Sequence, residues 1–480
     1  MLNPRPIWLK TVIVLFMTVA WCGTSGGQQG PLDLESSPAQ RAPVDPNPPQ
    51  ETSDQPPTMF PHSETAPWWV SGQVNIIFQG HLPFHAPYSG PNSLTAPGQA
   101  VTSQVVTLYT AYAFNDRTEV LFDVESASGH GIGEALGLAG FTNLDVVRNP
   151  NLGVTPYIAR AEFHKVFALS EEREPQERNP TNSILTSMPV RRWEVRAGKI
   201  SLADFFDVNP VGSDSHLQFL NWTADNNGSY DYAADTRGYT FAAMIEYEDR
   251  NWGLRFAEGL MPKVANGPNL DADIARARSE NTELELRPKF VKDRHTVLLF
   301  LSYVNHANMG SYRQAVDAFL AGQTPKPDIV ATRQQGRIKY GFGFNFEHEI
   351  TNSLRGFGRL GWNEGQNESF AYTEVNQSVE FGGDWRLDRW HRHWDKLGLV
   401  YMSNAISSAH QKYLALGGEG FLLGDGRLTY GRENIVEGYY NAHLWRGFYI
   451  SPNMQYIVHP GYNQDRGPVV VGAVRLHLEL

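Results

Sequence analysis

Four short stretches of this 480-residue chain carry residue types that could do chemistry. Gly356–Gly361 matches GxGxxG, the fingerprint of a dinucleotide-binding turn, which needs a parallel strand before it and a helix after it. Here the glycines lie inside an alternating pattern that continues to Trp362, as in a single strand. Asp214, Ser215 and His216 are the residue types of a catalytic triad, but a triad forms by convergence in space, which three adjacent residues cannot achieve. We therefore expect no dinucleotide and no catalytic residues.

The other two stretches contain metal-ligand residue types. His391 and His393 flank Arg392 between tryptophans, a pattern that favours a polar turn at a membrane interface over a metal site. Asp225–Gly228 resembles the start of a calcium loop, but its glycine is misplaced and no bidentate Glu closes it, so calcium at an extracellular loop stays an alternative. The single cysteine, Cys22, lies in a segment that we expect to be removed. We predict no metal and no cofactor.

The elements that must position any functional residue are strands, because apolar and polar residues alternate from Trp68 to the C-terminus. Tyr340–Phe346 has an aromatic residue at every second position, and Val470–Leu480 has a small or aliphatic residue at every second position. A soluble sandwich or barrel would bury this apolar face. A membrane barrel turns it to lipid and lines a wet lumen with the charged face.

Three features favour the membrane barrel. Tight turns such as Asn115–Arg117 alternate with long polar loops such as Ser201–Asp235. The chain ends on a strand that can pair with the first strand and leave no edge in lipid. Tryptophans fall at strand ends, as interfacial girdles require. These tryptophans are Trp68, Trp69, Trp193, Trp252, Trp362, Trp385, Trp390 and Trp394. We predict an all-β fold, a transmembrane antiparallel β-barrel of about 16 strands within a range of about 14 to 18, with one helical patch near Tyr312–Ala321 in a loop.

Composition excludes two classes of protein and disfavours a third. Mean hydropathy is −0.38, and past the N-terminal region no apolar run approaches the ~20 residues of a membrane-spanning helix, which excludes a polytopic helical membrane protein. A chain with 41% hydrophobic and 12% aromatic residues can bury a core, so it is not disordered as a whole. Because 51 Asp and Glu outnumber 40 Lys and Arg, the chain repels phosphate, and we expect no nucleic-acid partner.

The N-terminal region predicts export. Residues 1–26 have the form of a cleaved signal peptide, with basic residues before the apolar run Thr11–Trp21 and small residues after it. Residues 27–67 are rich in proline, which predicts a disordered linker. Residues 68–480 then form the barrel domain, in the outer membrane of a Gram-negative-type bacterium. An uncleaved anchor, a lipid on Cys22 and a partner-binding linker are the alternatives.

Arginines on the polar parity of their strands are the first candidates for function. They are Arg160, Arg196, Arg255, Arg355, Arg359 and Arg475. Because carboxylates occupy the same parity in other strands, one interpretation is an ion-pair network that stiffens the barrel wall. The other is that some arginines face each other across a constriction, set a transverse field and bind a polar solute through the planar guanidinium.

Two blocks of sequence resemble a known family. The first contains Gly198–Asn209 (GKISLADFFDVN), Gln218–Trp222 (QFLNW), Tyr230–Thr240 (YDYAADTRGYT) and Met261–Lys263 (MPK). The second contains Glu433–Tyr440 (ENIVEGYY), Pro452–Tyr456 (PNMQY), Pro460–Gly461 and Val474–Leu476 (VRL). The pattern resembles the carbohydrate-selective porins of the OprB family. The resemblance implies an outer-membrane channel of about 16 strands that passes sugars, and it allows a homotrimer.

The first block suits such a role. It is a long loop whose carboxylates and amides can hydrogen-bond sugar hydroxyls, while its aromatic rings can stack on apolar ring C–H groups. The residues that we expect to bind substrate or form the constriction are Arg196, Asp207, Asn209, Gln218, Asn221, Trp222, Asp231, Asp235, Arg237 and Arg255. The alternative is that this block only plugs and braces the barrel.

We therefore predict passive, weakly selective diffusion of mono- or oligosaccharides across an outer membrane. The expected partners are carbohydrate solutes and outer-membrane lipids. A general or anion-selective porin is the alternative, in which the arginines act only through their field. An outer-membrane barrel enzyme or an adhesin is a more distant hypothesis, because we find neither a convergent nucleophile and base nor one dominant extracellular insertion. With no nucleotide motif or energy-coupling segment in the sequence, transport should be downhill.

Overall fold

The computed structural model describes residues 58–146, 153–291 and 294–480. The predicted signal peptide, residues 1–26, and most of the predicted linker, residues 27–67, lie outside this part of the chain. The first nine strands are β1 (Trp68–His81), β2 (Gln99–Asn115), β3 (Thr118–Gly129), β4 (Tyr157–Ala168), β5 (Arg173–Pro175), β6 (Ser187–Pro189), β7 (Arg192–Ile200), β8 (Thr240–Asp249) and β9 (Trp252–Leu260). The other nine are β10 (Arg278–Leu286), β11 (Thr296–Met309), β12 (Gln334–Glu349), β13 (Leu354–Asn363), β14 (Gln377–Leu387), β15 (Arg392–Ala405), β16 (Glu433–Trp445), β17 (Phe448–Val458) and β18 (Val469–Glu479).

Sixteen of these strands form one closed antiparallel barrel in which neighbours in the sheet follow one another along the chain. The remaining two, β5 and β6, form a separate hairpin. The barrel closes where β1 pairs with β18, from Gln73 opposite Glu479 to His81 opposite Val471. The fold class and the count of about sixteen strands are thus confirmed, and the last strand does seal against the first.

Alternation within the strands also has the predicted orientation. In β12 the side chain of Phe342 is 56% exposed on the outside of the barrel, whereas Asn345 is 1% exposed on the inside. In β18, Val470 and Val474 face outward, and Arg475 and His477 face the lumen. Outward apolar and inward polar side chains are the arrangement of a barrel that meets lipid.

Most of the tryptophans lie on the outer surface, where a girdle requires them. Trp68, Trp193, Trp252 and Trp390 are exposed near the end of the barrel that carries the short turns. The interpretation of Trp69 as part of this girdle is wrong, because strict alternation turns its ring inward. Its Nε1 donates to the Ser71 hydroxyl at 2.7 Å.

Connections are short at one end of the barrel and long at the other, with one exception. The tight turn between β2 and β3 is confirmed, and the long loops include residues 201–239, here called the central loop. The exception is the connection between β4 and β7, which lies at the short-turn end but spans residues 169–191 and contains the β5–β6 hairpin. It folds back into the barrel, where Thr181 and Asn182 accept hydrogen bonds from Arg160 and Arg196.

Residues 58–67, which the sequence assigns to the linker, lie across the same end. The Met59 amide donates to the Glu479 carbonyl at 2.7 Å, and the ring of His62 stacks on Trp69 with centroids 4.4 Å apart. The Arg178 guanidinium, from the connection between β4 and β7, donates to the carbonyls of Ser63 and Ala66. This short segment is therefore fastened to the barrel mouth by its backbone.

Three α-helices lie in the loops of the part of the chain that the structure describes. They are α1 (Trp222–Asp225), α2 (Tyr312–Leu320) and α3 (Ser408–Ala415). The sequence predicted α2 but not the other two, since α1 is a single turn and α3 is short. No helix in the described ranges has the length and apolar character needed to cross a membrane.

The largest apolar cluster lies inside the barrel. Phe206, Phe219 and Trp222 of the central loop pack in one cluster with Met402 and Tyr439 of the wall. The loop thus divides the interior, filling one part with packed side chains and leaving the rest open.

Candidate functional site

The open part of the interior is a cavity of about 690 Å³ between the central loop and the wall. Its lining begins at the short-turn end with Trp69 and Glu479 and reaches Asn266 and Tyr372 in the long loops of the other end. The cavity therefore follows the barrel axis, as a solute path must.

Inward arginines hold the central loop in place. Arg359 of β13 is fully buried and donates from Nε to Asp207 Oδ1 at 2.9 Å and from Nη1 to the Ala224 carbonyl at 2.6 Å. Asn345 of β12 donates to the same Asp207 carboxylate at 2.7 Å. Although burial raises the pKa of Asp207, the Arg359 charge opposes that shift. Asp207 therefore acts as an anchor and lies away from the cavity.

The glycines of the apparent GxGxxG stretch have a packing role here. Gly361 faces inward from β13, and a Cβ at that position would overlap Asn227 Oδ1 and Ser229 Oγ of the central loop. On the neighbouring strand, a Cβ at Gly343 would lie 3.0 Å from Asn227 Nδ2. The missing side chains at Gly361 and Gly343 make room for Asn227 and Ser229 of the loop, which explains Gly361 without a nucleotide.

Two more predicted site residues, Arg196 and Arg255, are also committed to the protein. Arg196 Nη1 lies 2.5 Å from Glu162 Oε1. Arg255 lies 2.8 Å from Glu246, 2.7 Å from Glu283 and 2.7 Å from Glu285. Such buried, paired guanidinium groups fit the interpretation that they brace the barrel, because removing one partner would leave the other charge buried and unpaired.

Asn209, Gln218, Asn221 and Asp231 anchor the loop at further points. Asn209 donates from Nδ2 to Asn345 Oδ1 at 3.2 Å, and Gln218 donates to the Pro210 carbonyl at 2.7 Å. Asn221 caps α1, with its side chain accepting from the Thr223 amide.

Wall residues complete two of these anchors. Asn221 donates to Gln455 Oε1 of β17 at 3.0 Å, and the Asn221 amide donates to Glu437 of β16 at 3.1 Å. Asp231 accepts from Lys339 Nζ of β12 at 2.9 Å. None of Asn209, Gln218, Asn221 and Asp231 belongs to the cavity lining.

Three of the ten predicted residues do line the cavity: Trp222, Asp235 and Arg237. The Arg237 guanidinium lies over the Tyr157 ring, 4.0 Å from its centroid. Asp235 Oδ1 accepts from the backbone amides of Arg237 and Tyr239, and so shapes the turn that presents Arg237. Burial raises the pKa of Asp235, while these amide hydrogen bonds act against the shift.

Aromatic rings cluster around Trp222. Its ring lies parallel to that of Tyr372, with an interplanar angle of 3° and centroids 5.8 Å apart. Tyr232 lies beside Tyr372 with centroids 5.3 Å apart. All three rings line the cavity, so they offer apolar faces to a passing solute.

Carboxylates outnumber guanidinium groups around the cavity. Eight acidic residues line it, namely Asp123, Glu125, Asp145, Asp204, Asp214, Asp225, Asp235 and Glu479. Two arginines among the residues that the structure describes line it, Arg160 and Arg237. Histidine adds to the positive side: burial alone would lower the pKa of His216, but Asp145, 3.4 Å away, helps to raise it to about 9. The lumen as a whole still carries a negative field.

No group of three or more metal-ligating side chains occurs in the described ranges. His216 approaches Asp145, which is remote in sequence, and Asp214 Oδ1 accepts from the backbone amides of His216 and Leu217. The side chains of Asp214, Ser215 and His216 therefore serve the loop and the lumen.

A family model for the carbohydrate-selective porins, OprB family, matches residues 92–480. The chain belongs to this family. The predicted outer-membrane location follows, since OprB porins are channels of the Gram-negative outer membrane, and the predicted resemblance is confirmed.

A solved structure agrees with the fold. The barrel of this chain is similar to the high-pH structure of Pseudomonas putida OprB, with 13% identity, a TM-score of 0.65, and coverage of 86% of this chain and 94% of that one. The outer membrane channel DcaP of Acinetobacter baumannii is similar with 8% identity and a TM-score of 0.47, over 86% of this chain and 97% of that one. No curated protein sequence matches the chain.

The sequence did not predict several of the residues that line the cavity. Tyr372 comes from the loop between β13 and β14, which carried no sequence signal. Asp145 comes from the connection between β3 and β4, and Tyr157 is the first residue of β4. Asp225 entered the sequence analysis only as the start of a possible calcium loop, whereas in the structure it follows Trp222 by three residues and shares its side of one helical turn.

Proposed function

We propose that this chain is an outer-membrane channel for passive, weakly selective diffusion of mono- and oligosaccharides. The observation that carries the proposal is the cavity along the barrel axis, which combines the Trp222, Tyr232 and Tyr372 rings with hydrogen-bonding side chains. Sugars present apolar C–H faces and a belt of hydroxyls, so this combination matches their surface. The family supports the same substrate class.

Among the alternatives, a general porin differs from a sugar channel only in its lack of binding. An anion-selective porin is disfavoured, because eight carboxylates and two arginines line the cavity. The inward arginines that could have attracted anions are mostly committed to carboxylates, as Arg255 and Arg359 show. Family and fold are those of a channel rather than of an enzyme or an adhesin.

Three further proposals concern the whole protein. Outward apolar side chains, such as Phe342 and Val470, would contact outer-membrane lipids. The family resemblance supports a homotrimer, which native mass spectrometry of the detergent-solubilised protein would test. Cleavage of residues 1–26 would appear as a new N-terminus when the protein is purified from outer membranes.

Planar-bilayer conductance titrated with glucose and maltose tests the channel and its substrate. We expect stable ohmic steps, a preference for cations, and a concentration-dependent reduction of current with sugar. Anion preference without any effect of sugar would overturn the proposal in favour of an anion-selective porin. Cation preference without any effect of sugar would leave a general porin.

A further inference from the structure

One carboxylate in the cavity lining stands apart from the others. Most of the others accept hydrogen bonds from the protein or pair with a cation. Glu125, for example, accepts from the hydroxyls of Thr107, Tyr157 and Tyr239, and Asp204 pairs with Arg160. Asp123 lies 3.5 Å from Arg160 Nε. Within residues 58–146, 153–291 and 294–480, the Asp225 carboxylate alone among the eight has neither a hydrogen bond nor an ion pair.

The backbone of Asp225 is nevertheless fixed. It ends α1, its amide donates to the Asn221 carbonyl at 3.2 Å, and its own carbonyl accepts from Arg359 Nη2 at 3.3 Å. The half-buried Asp225 carboxylate faces the cavity from this fixed main chain, which is the arrangement expected of a group that meets a solute, because a prepositioned polar group can bind without rearrangement.

The aromatic pair lies close to this carboxylate. Trp222 belongs to the same helical turn, and its Nε1 donates to the Asn143 carbonyl at 2.8 Å. The Tyr372 hydroxyl accepts from the Asn226 amide at 3.1 Å. Burial raises the pKa of Tyr372, and the Asp225 charge raises it further, so the two groups are within Coulomb range. Both rings are thus fixed in the cavity lining, where Trp222 and Tyr372 are largely buried.

We propose that Asp225, Trp222 and Tyr372 form a sugar subsite in which Asp225 determines specificity, favouring amino sugars over neutral sugars and disfavouring sugars that carry a carboxylate or phosphate. The aromatic faces hold the apolar side of the pyranose ring. The carboxylate accepts hydrogen bonds from neighbouring hydroxyls or pairs with an ammonium group, and it repels an anion. This inference rests on the proposed function, since it names the substrate preference of the same channel.

The test compares three sugars of one size: glucosamine in its ammonium form, glucose and glucuronate. For each, the apparent affinity is measured from the sugar-induced noise of a single-channel current. In the unmodified protein we expect glucosamine to bind most tightly and glucuronate least. In Asp225→Asn the ratio of glucosamine to glucuronate affinity should fall about ten-fold, the effect of losing a charge-assisted contact.

A matched control removes the same charge elsewhere in the cavity. Glu479 lines the short-turn end, where its carboxylate lies 2.9 Å from the His477 ring, so Glu479→Gln changes the overall field without touching the aromatic pair. We expect its ratio to change much less than that of Asp225→Asn. Equal changes in the two variants would overturn the proposal and assign the preference to the field of the whole lumen.

Two further measurements keep the outcome decisive. Tyr372→Leu should weaken all three sugars alike, because it removes a stacking face and no charge. If Asp225→Asn does not fold, an unmodified channel that binds glucuronate as tightly as glucosamine overturns the proposal by itself. A channel that shows no noise with any sugar contradicts the proposed function instead, so the two failures are distinguishable.

Discussion

Lys339 and Asp231 form an ion pair inside the barrel, with Lys339 Nζ 2.9 Å from Asp231 Oδ2 and both side chains almost without solvent contact. The pair joins β12 to the central loop. The other Asp231 contacts extend the connection, because its carboxylate also accepts from the Phe370 and Ala371 amides. Two loops and the wall thus meet at one carboxylate, and Tyr372 of the aromatic pair follows directly after Ala371.

The first prediction concerns this ion pair. Lys339→Met should destabilise the barrel by about 3–5 kcal/mol, because it leaves the Asp231 carboxylate buried and unpaired. The measurement is the temperature at which the folded band disappears in a heat-modifiability gel. Lys412→Met, at an exposed position of α3, is the control and should behave like the unmodified protein. Equal melting of all three proteins would contradict an anchoring role.

The second prediction concerns Arg237, which lies on Tyr157 and lines the cavity without an ion pair to a carboxylate in the described ranges. Arg237→Ala should fold. It should weaken glucose binding by about ten- to a hundred-fold, because it removes a charge-assisted hydrogen bond from the guanidinium to the sugar. It should also increase the preference for cations, because one positive charge leaves the lumen. Current noise and reversal potential measure the two effects. Arg313→Ala removes an exposed guanidinium from α2 and should change neither. Unchanged glucose affinity in folded Arg237→Ala would remove Arg237 from the binding site.

The third prediction tests which face of the wall meets lipid. Phe344→Arg puts a charge on the lipid side of β12 and should cost about 2–4 kcal/mol at mid-membrane, blocking insertion into liposomes. The sequence alone suggests that Arg at neighbouring Asn345 would be tolerated, but Asn345 donates to Asp207 and has no room. The control is Ala127→Arg, which faces the open cavity from β3 and should insert. Equal insertion of Phe344→Arg and Ala127→Arg would refute the assignment of faces.

The fourth prediction separates two parts of the predicted linker. Deletion of residues 27–57 should leave the folded band unchanged, whereas deletion of residues 27–67 should lower its melting temperature. The longer deletion removes the Ser63 and Ala66 carbonyls from Arg178 and the Met59 amide from Glu479. Each hydrogen bond lost to a charged group costs about 1.5–3 kcal/mol. If the two deletion variants have the same melting temperature, residues 58–67 do not contribute to the stability of the barrel.

The fifth prediction is a pH dependence of ion selectivity. Burial raises the pKa of Asp225 to about 7, opposed by the Arg359 and His216 charges and supported by Asp214 and Asp204. Below that pH the carboxylate is neutral, and above it the carboxylate is charged, so the potassium-to-chloride permeability ratio should rise as pH increases through 7. Reversal potentials measure the ratio. Asp225→Asn should lose this rise and keep any change caused by the other groups.

The sequence was sufficient for the barrel because the lipid and the lumen impose one simple rule on every strand. Alternation in Tyr340–Phe346 and Val470–Leu480 reports directly which side of the wall each residue faces. Trp69 faces inward whereas Trp68 faces outward, because adjacent residues of a strand point to opposite faces of the sheet.

The site was harder to predict, because loop contacts follow no period. Asp207, Asn209, Asn221 and Asp231 have the residue types of a sugar site, yet their hydrogen bonds hold the loop to the wall. A lone sequence cannot show whether a carboxylate is already paired. Asp231 pairs with Lys339, whereas the Asp225 carboxylate has no such partner among the described residues, and that difference exists only in three dimensions.

The three attachment lines of the central loop have a mechanical consequence. Asp207 is tied to β12 and β13, Asn221 to β16 and β17, and Asp231 to β12 again, so the loop is a strut across the ring. A barrel with no connection across its interior can flatten under lateral pressure, whereas a barrel braced by a loop across its interior keeps its cross-section. The open state should therefore be quiet, with little flicker, and its current should stay the same in bilayers of different thickness and tension.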